Sequence, residues 1–241
     1  MDRKIRLSPL RFSKGLRDGI PIGLGYLSVS FGFGISAVSR GLSALCSVLI
    51  SMTNLTSAGQ VAGLAIMAAG GSLLEMFVTQ LIINMRYALM GISLTQKLDD
   101  TFNTVNRMLV SFFITDEIFA VASSKDSISA GYMYGLGVVP YIGWASGTLL
   151  GAVAGELLPA SVSAALGLAI YGMFVAIVVP AASKSRGILL CSLIAAGISC
   201  CLKYIPLFSF VTQGFSIIIC AVLAASAAAL LFPVKEDKDD C

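Results

Sequence analysis

The stretch "GIPIGLGYLSVSFGFGISAVS", Gly19 to Ser39, contains no charged residue, and neither does the stretch from Gly41 to Leu74. Both are longer than the roughly 20 residues a helix needs to cross a bilayer. Around them the chain has 57% hydrophobic and 12% charged residues, about half the ~25% charged share of a soluble domain. Backbone groups in lipid are satisfied only in helices or closed barrels, and these runs are too long and continuous for the ~10-residue alternation of barrel strands. The expectation is an all-α polytopic transmembrane helical bundle of about seven to eight membrane segments.

The charges gather at the ends. Arg3, Lys4, Arg6, Arg11, Lys14 and Arg17 precede the first apolar run, and Lys235 to Asp240 close the chain. A cleaved signal has an apolar core of only about 7 to 15 residues, so the first run reads as a retained span. Three regions follow: 1–18, a basic amphipathic segment on the cytoplasmic side; 19–233, one transmembrane transporter domain; and 234–241, a charged tail. The positive-inside bias puts the N-terminus in the cytoplasm. In the first region, Leu10, Phe12 and Leu16 alternate with Arg11, Lys14 and Arg17 behind Ser8-Pro9, a pattern for a helix lying in the membrane interface. The basic balance thus belongs to the bilayer surface, and no nucleic-acid partner is expected.

Apolar segments of helical length run at about 19–38, 42–70, 73–95, 107–123, 129–155, 160–182, 187–203 and 209–232. If all eight cross, Lys97 and Arg107 fall on the side opposite the other basic loops, so one early segment is not a simple span. The second is the suspect. "SMTNLTSAGQ", Ser51 to Gln60, sets a polar cluster between two half-length apolar pieces, as in the broken or re-entrant helices that form transporter sites.

Several functions are excluded. The chain has no histidine, which removes Ser-His and Cys-His dyads and histidine-ligated metals. The six cysteines have no CxxC spacing. No G-x-x-x-x-G-K-[ST] loop is present, so ATP-driven transport would need another chain. No enzyme activity, metal or cofactor is expected.

Three groups of residues stand out. Gly143, Gly147, Gly151 and Gly155 recur every four residues, leaving one helix face bare for close packing. In the third segment Gln80, Asn84, Tyr87 and Gly91 share a stripe, and Arg86 lies about 100° round from Tyr87. Arg86 is deep in its span, where an arginine costs ~2.5–3.5 kcal/mol on insertion scales and needs a counter-charge or water. In the fourth segment "FFITDEIFAV", Phe112 to Val121, sets Asp116 and Glu117 inside an apolar run. Arg86 is expected to pair with Asp116 or Glu117, leaving the other acid free to titrate.

These motifs, "FSKGLRDGIPIGLGYLSVSFGFGISA", "SAGQVAGLAIMAAGGS", "NMRYALMG", "TDEIFAVA", "YIGWASGTLLGAVAG" and "LGLAIYGMFVAIVVP", resemble in this order the AzlC family of branched-chain amino acid permeases, over nearly the whole chain. The resemblance implies a prokaryotic inner-membrane exporter of leucine, isoleucine and valine that works with a small AzlD-like membrane subunit. It implies that Gln60, Arg86, Asp116, Glu117, Trp144, Gly147 and Thr148 occupy family positions. The chain departs at Ala58 and Gly59, where the family has a small residue and serine, and at Tyr87, where it has histidine. A proton carrier would then be a carboxylate: Asp116, Glu117 or Glu75. The substrate site is expected at Thr53, Asn54, Ser57, Gln60, Asn84 and Arg86. The alternatives are a scaffold or channel-like subunit, or a carrier of a different small solute.

Overall fold

In the computed structural model, residues 11–159, 161–162, 169–208 and 210–232 are described. They form ten α-helices: α1 (Phe12–Ser39), α2 (Ala44–Thr53), α3 (Ser57–Ala68), α4 (Leu73–Thr95), α5 (Thr104–Ser111), α6 (Asp116–Ser123), α7 (Ala130–Leu157), α8 (Ala169–Lys184), α9 (Arg186–Tyr204) and α10 (Gln213–Leu231). Among the described residues, five helices are long and apolar enough to cross a membrane: α1, α4, α7, α9 and α10. The protein is an all-α polytopic membrane protein. Its contacts divide into two compact units, residues 1–60 with 84–170, and residues 61–83 with 171–241.

The first unit is built on α1 and α7, which run parallel. The bare face of α7 makes this possible: Gly143 lies against the backbone of Gly23, Gly147 against Leu27 and Ser30, Gly151 against Phe31 and Gly155 against Ile35. Gly15, Gly19 and Gly34 of α1 return the fit against the α7 backbone. Without side chains between them the two backbones touch, and dispersion and close packing replace the hydrophobic drive that lipid does not supply. Pro21 and Pro140 sit inside α1 and α7, which remain single helices. The amphipathic segment at the start of the chain is corrected for its described part. Residues 12–18 are the first turns of α1 and pack on α7 through Gly15, so they do not form a separate interfacial helix. Residues 1–10 lie outside the described residues.

The start of α1 is also where charged loops gather. Lys125 lies 3.6 Å from Asp18 Oδ2, which accepts from the Tyr132 hydroxyl at 2.7 Å. Lys97 donates to the carbonyls of Ser123 (2.6 Å) and Lys125 (3.0 Å), tying the ends of α4 and α6 to this basic face. Helix α4 therefore ends where α1 begins and runs antiparallel to it.

That geometry resolves the misplaced Lys97. Thr56 meets Asn84 in the first unit, and Gly63 of α3 lies against Gln80 and Met76 of α4 in the second. At 1.5 Å per residue, α2 and α3 are about 15 and 18 Å long, too short to cross a ~30 Å core. Joined at Asn54–Thr56 they make the first hairpin, a broken helix as the polar cluster suggested. The fourth apolar segment, expected as one span, is likewise broken. Helices α5 and α6 are only about 12 Å each, start beside Tyr134 near the head of α7 through Asn106 (3.1 Å) and end at Lys97. They make a second hairpin that enters from the basic face and returns to it. None of these four helices is long enough to cross alone, and Lys97 and Lys125 come together beside Asp18 at the start of α1.

In the second unit, α9 and α10 pack together. Glu75, in the first turn of α4, is buried at 3% exposure. Its Oε1 accepts from Thr212 Oγ1 (2.5 Å) and the Gly214 amide (2.7 Å) at the head of α10. A carboxylate there satisfies first-turn amides that a helix cannot satisfy internally and complements its dipole. Glu75→Ala is expected to destabilise the protein by about 1–2 kcal/mol, measured as a lower unfolding temperature in detergent, with Glu75→Gln intermediate.

Candidate functional site

The two hairpin tips meet the middle of α1 and α7. Tyr26 and Trp144, each near the centre of its 28-residue helix, pack edge to face with centroids 5.2 Å apart, and Leu55 from the first tip completes the cluster. The tip between α2 and α3 is Asn54–Thr56, where the helical hydrogen-bond ladder stops. Gln60 repairs it. Its amide nitrogen donates to the Asn54 carbonyl, and its oxygen accepts from Trp144 Nε1 at 3.1 Å, with Gln60 and Trp144 each at 2% exposure. Thr56 directly precedes α3, its hydroxyl accepting from the Gly59 amide (3.3 Å) and donating to Asn84 Oδ1 (2.9 Å). Ser51, on α2, meets Thr148 Oγ1 at 2.7 Å, and Thr148 donates back to the Trp144 carbonyl at 3.0 Å. The first tip is thus fixed to α7 through Gln60 and Ser51, and to α4 through Thr56. Gln60→Leu keeps the volume but strands the Asn54 carbonyl and the Trp144 N–H. A loss of about 2 kcal/mol or more is expected, at ~1–3 kcal/mol per orphaned buried group, read as a drop in unfolding temperature.

The second tip explains the acidic pair. Thr115 is the N-cap of α6, and Asp116 and Glu117 form its first turn. Negative charge at a helix N-terminus is favourable even where no water reaches the rest of the helix. Arg86 pairs with Asp116, Nη1 to Oδ2, at 2.7 Å. Both side chains are about two-fifths exposed (43% and 42%), so the pair borders an opening. Glu117 is the other acid, outside the ion pair and held by a hydrogen bond. The Tyr26 hydroxyl, buried between the tips, donates to its Oε2 at 2.5 Å and lies 2.7 Å from Thr115 Oγ1. Tyr87 donates to Thr56 at 3.3 Å and accepts from Arg86 Nη2 at 3.3 Å, with the guanidinium 5.0 Å from its ring centre.

Of the residues singled out in the sequence, Thr53, Asn54, Ser57, Gln60, Asn84, Arg86, Asp116 and Glu117 all belong to the first unit and gather at the tips. Thr53 bonds back to Leu49 (2.8 Å) at the end of α2 and lines a cavity with Asn54 and Asn84. Glu75 belongs to the second unit, where it caps α10. Sequence reasoning missed Tyr26 and Thr115. Thr115 had a signal, a threonine followed by two acids, which reads as a helix start; Tyr26 had none. Among the described residues no cluster of metal-binding side chains occurs.

The pieces converge on charge recognition. The starts of α3 and α6 both reach the tips, and their first-turn amides offer donors to an anion. Arg86 adds a cation, while Asp116 and Glu117 supply carboxylates within the same shell. Such a place can hold opposite charges at once.

The AzlC protein family matches residues 21–158, which contain both hairpins and the α1/α7 pair. The chain is 32% identical over 223 residues to the inner membrane protein YgaZ of Escherichia coli (strain K12), covering 89% of each. It is 31% identical to an uncharacterized membrane protein of Archaeoglobus fulgidus, over 70% of this chain and 75% of that one. A membrane protein of Helicobacter pylori (strain J99) is 26% identical over 60% of this chain and 66% of its own length. No solved structure matches the chain. The match over the two hairpins and the scaffold that carries them, together with the E. coli relative along nearly its whole length, makes this chain a member of the AzlC family of membrane proteins.

Proposed function

We propose that the protein is a permease that exports branched-chain amino acids, leucine, isoleucine and valine, across a prokaryotic inner membrane, with its N-terminus in the cytoplasm. The observation that carries this reading is the meeting of two half-helix N-termini with Arg86, Asp116 and Glu117 at mid-depth. A free amino acid is a zwitterion: its carboxylate suits the α3 amides and Arg86, and its ammonium suits Glu117 or Asp116. The side chain needs an apolar wall, which Leu55, Phe112 and Ile114 supply beside Asn84. The carboxylates are the proton-coupling candidates, since the chain has no histidine.

The reading includes a small AzlD-like membrane subunit. A half-exposed ion pair at mid-depth supports it, because charges facing hydrocarbon are costly and water or another chain must cover them. The test is efflux of preloaded labelled leucine and valine from cells with this chain alone or with such a subunit, at two external pH values. Efflux that requires both chains and changes with the proton gradient is expected. A chain present in the membrane with no efflux in any combination would sink the reading.

A further inference from the structure

Three cavities meet at one side chain. The largest, about 460 Å³, is lined almost entirely by apolar groups and runs from Leu98, Phe102 and Arg107 at the basic face to Gly91, Ile114 and Tyr87. A second, about 190 Å³, lies between the hairpin tips and is walled by Asn54, Thr56, Asn84 and Tyr87. The third, between Tyr26, Ser57, Glu117 and Tyr87, is only about 10 Å³, room for about one water. Tyr87 is the one residue among the described residues that lines all three. Its hydroxyl holds it across the junction, bonded to Thr56 on one hairpin and to Arg86, which is itself paired with the other.

We infer that Tyr87 is the gate of an access path that opens on the basic face through the 460 Å³ cavity, admitting an aliphatic solute to the hairpin tips. This rests on the transport reading above. The physical case is one of matching surfaces. A cavity lined by Ile92, Leu94, Val110 and Met133 welcomes an aliphatic side chain and offers a strongly polar solute few partners. Beyond Tyr87 the lining turns polar, with Ser57, Thr115, Asp116 and Glu117. A solute with an apolar tail and a charged head would keep its tail in the 460 Å³ cavity and its head in the 190 Å³ one, beside Asn54, Thr56 and Asn84. The tyrosine stands where tail becomes head, and its weak 3.3 Å bonds to Thr56 and Arg86 are ones a solute's carboxylate and ammonium can replace.

Cysteine labelling tests the path without reference to the solute. In a chain cleared of its native cysteines, Gly91→Cys places a thiol on the cavity wall, where an added Cβ meets only Ile114 Cδ1, at 3.9 Å. Ser57→Cys places one behind Tyr87. A charged thiosulfonate reagent, applied to inside-out and right-side-out vesicles, is expected to modify Gly91→Cys at least tenfold faster from the basic face than from the other. It is expected to spare Ser57→Cys until Tyr87→Ala is added, which raises that rate about tenfold; Tyr87→Phe, which keeps the ring, raises it less. Leucine at saturating concentration should slow modification of Gly91→Cys. An unreactive Gly91→Cys in folded protein overturns the path, and equal Ser57→Cys rates with and without Tyr87→Ala overturn the gate. Labelling as expected without protection by leucine upholds the gated path and counts against the proposed substrate instead.

Discussion

The Gly151→Leu substitution is expected to cut the yield of folded protein by about tenfold or more. A Cβ at Gly151 would overlap the Phe31 carbonyl oxygen and sit 2.7 Å from its carbon and 2.9 Å from its Cα. These are backbone atoms of a helix and cannot rotate away. Overpacking against side chains costs ~1–3 kcal/mol; backbone against backbone exceeds that, and ~1.4 kcal/mol is already a factor of ten. Gly25 is the control, because on α1 itself an added Cβ there meets nothing within 4 Å. Gly25→Leu should leave the yield within about twofold. The measurement is the monodisperse peak of a fluorescently tagged chain in size-exclusion chromatography. Similar peaks for both variants would mean that α1 and α7 do not approach as described.

Neutralising either member of the Arg86–Asp116 pair should reduce transport by tenfold or more. Each change leaves a charge at mid-depth with no counter-charge at 2.7 Å, and breaking a buried pair costs up to ~3–5 kcal/mol, less here because both groups are partly exposed. Two variants separate pairing from substrate recognition. The exchange Arg86→Asp with Asp116→Arg should restore membrane levels if the pair sets the fold, yet restore little efflux, since it moves the cation to the head of α6. Efflux of preloaded leucine, normalised to protein in the membrane, reads both. Full activity in Arg86→Ala and Asp116→Asn would remove the pair from the mechanism.

Much of this architecture could be read from residue order. The charge-free run from Gly19 to Ser39 and the four-residue glycine spacing from Gly143 to Gly155 each had one physical meaning, because lipid leaves few ways to satisfy a backbone and close helix approach leaves few residues to use. The polar cluster at Ser51 to Gln60 gave away the first hairpin. The second hairpin was hidden because Phe112, Phe113 and Ile114 keep the apolar run continuous while the helix stops. Hydropathy reports burial in lipid and is silent about the backbone within it. The Thr115-Asp116-Glu117 cap was the only mark of the break. Arg86 had few acids to choose from at its depth, so the ion pair was legible. The Tyr26 bond to Glu117 spans |i−j| = 91 and was not, since it depends on how α1 and α6 pack. The Glu75 cap was not legible either, since it depends on the head of α10 reaching the first turn of α4.

Leucine binding to the purified protein, alone and with the proposed AzlD-like subunit, measured by scintillation proximity, tests the central claim that the hairpin tips form the substrate site. Saturable binding of L-leucine is expected, reduced at least tenfold in Arg86→Gln and in Glu117→Gln and unchanged in Lys184→Gln, outside the tips. Binding of equal strength in all four proteins would contradict it.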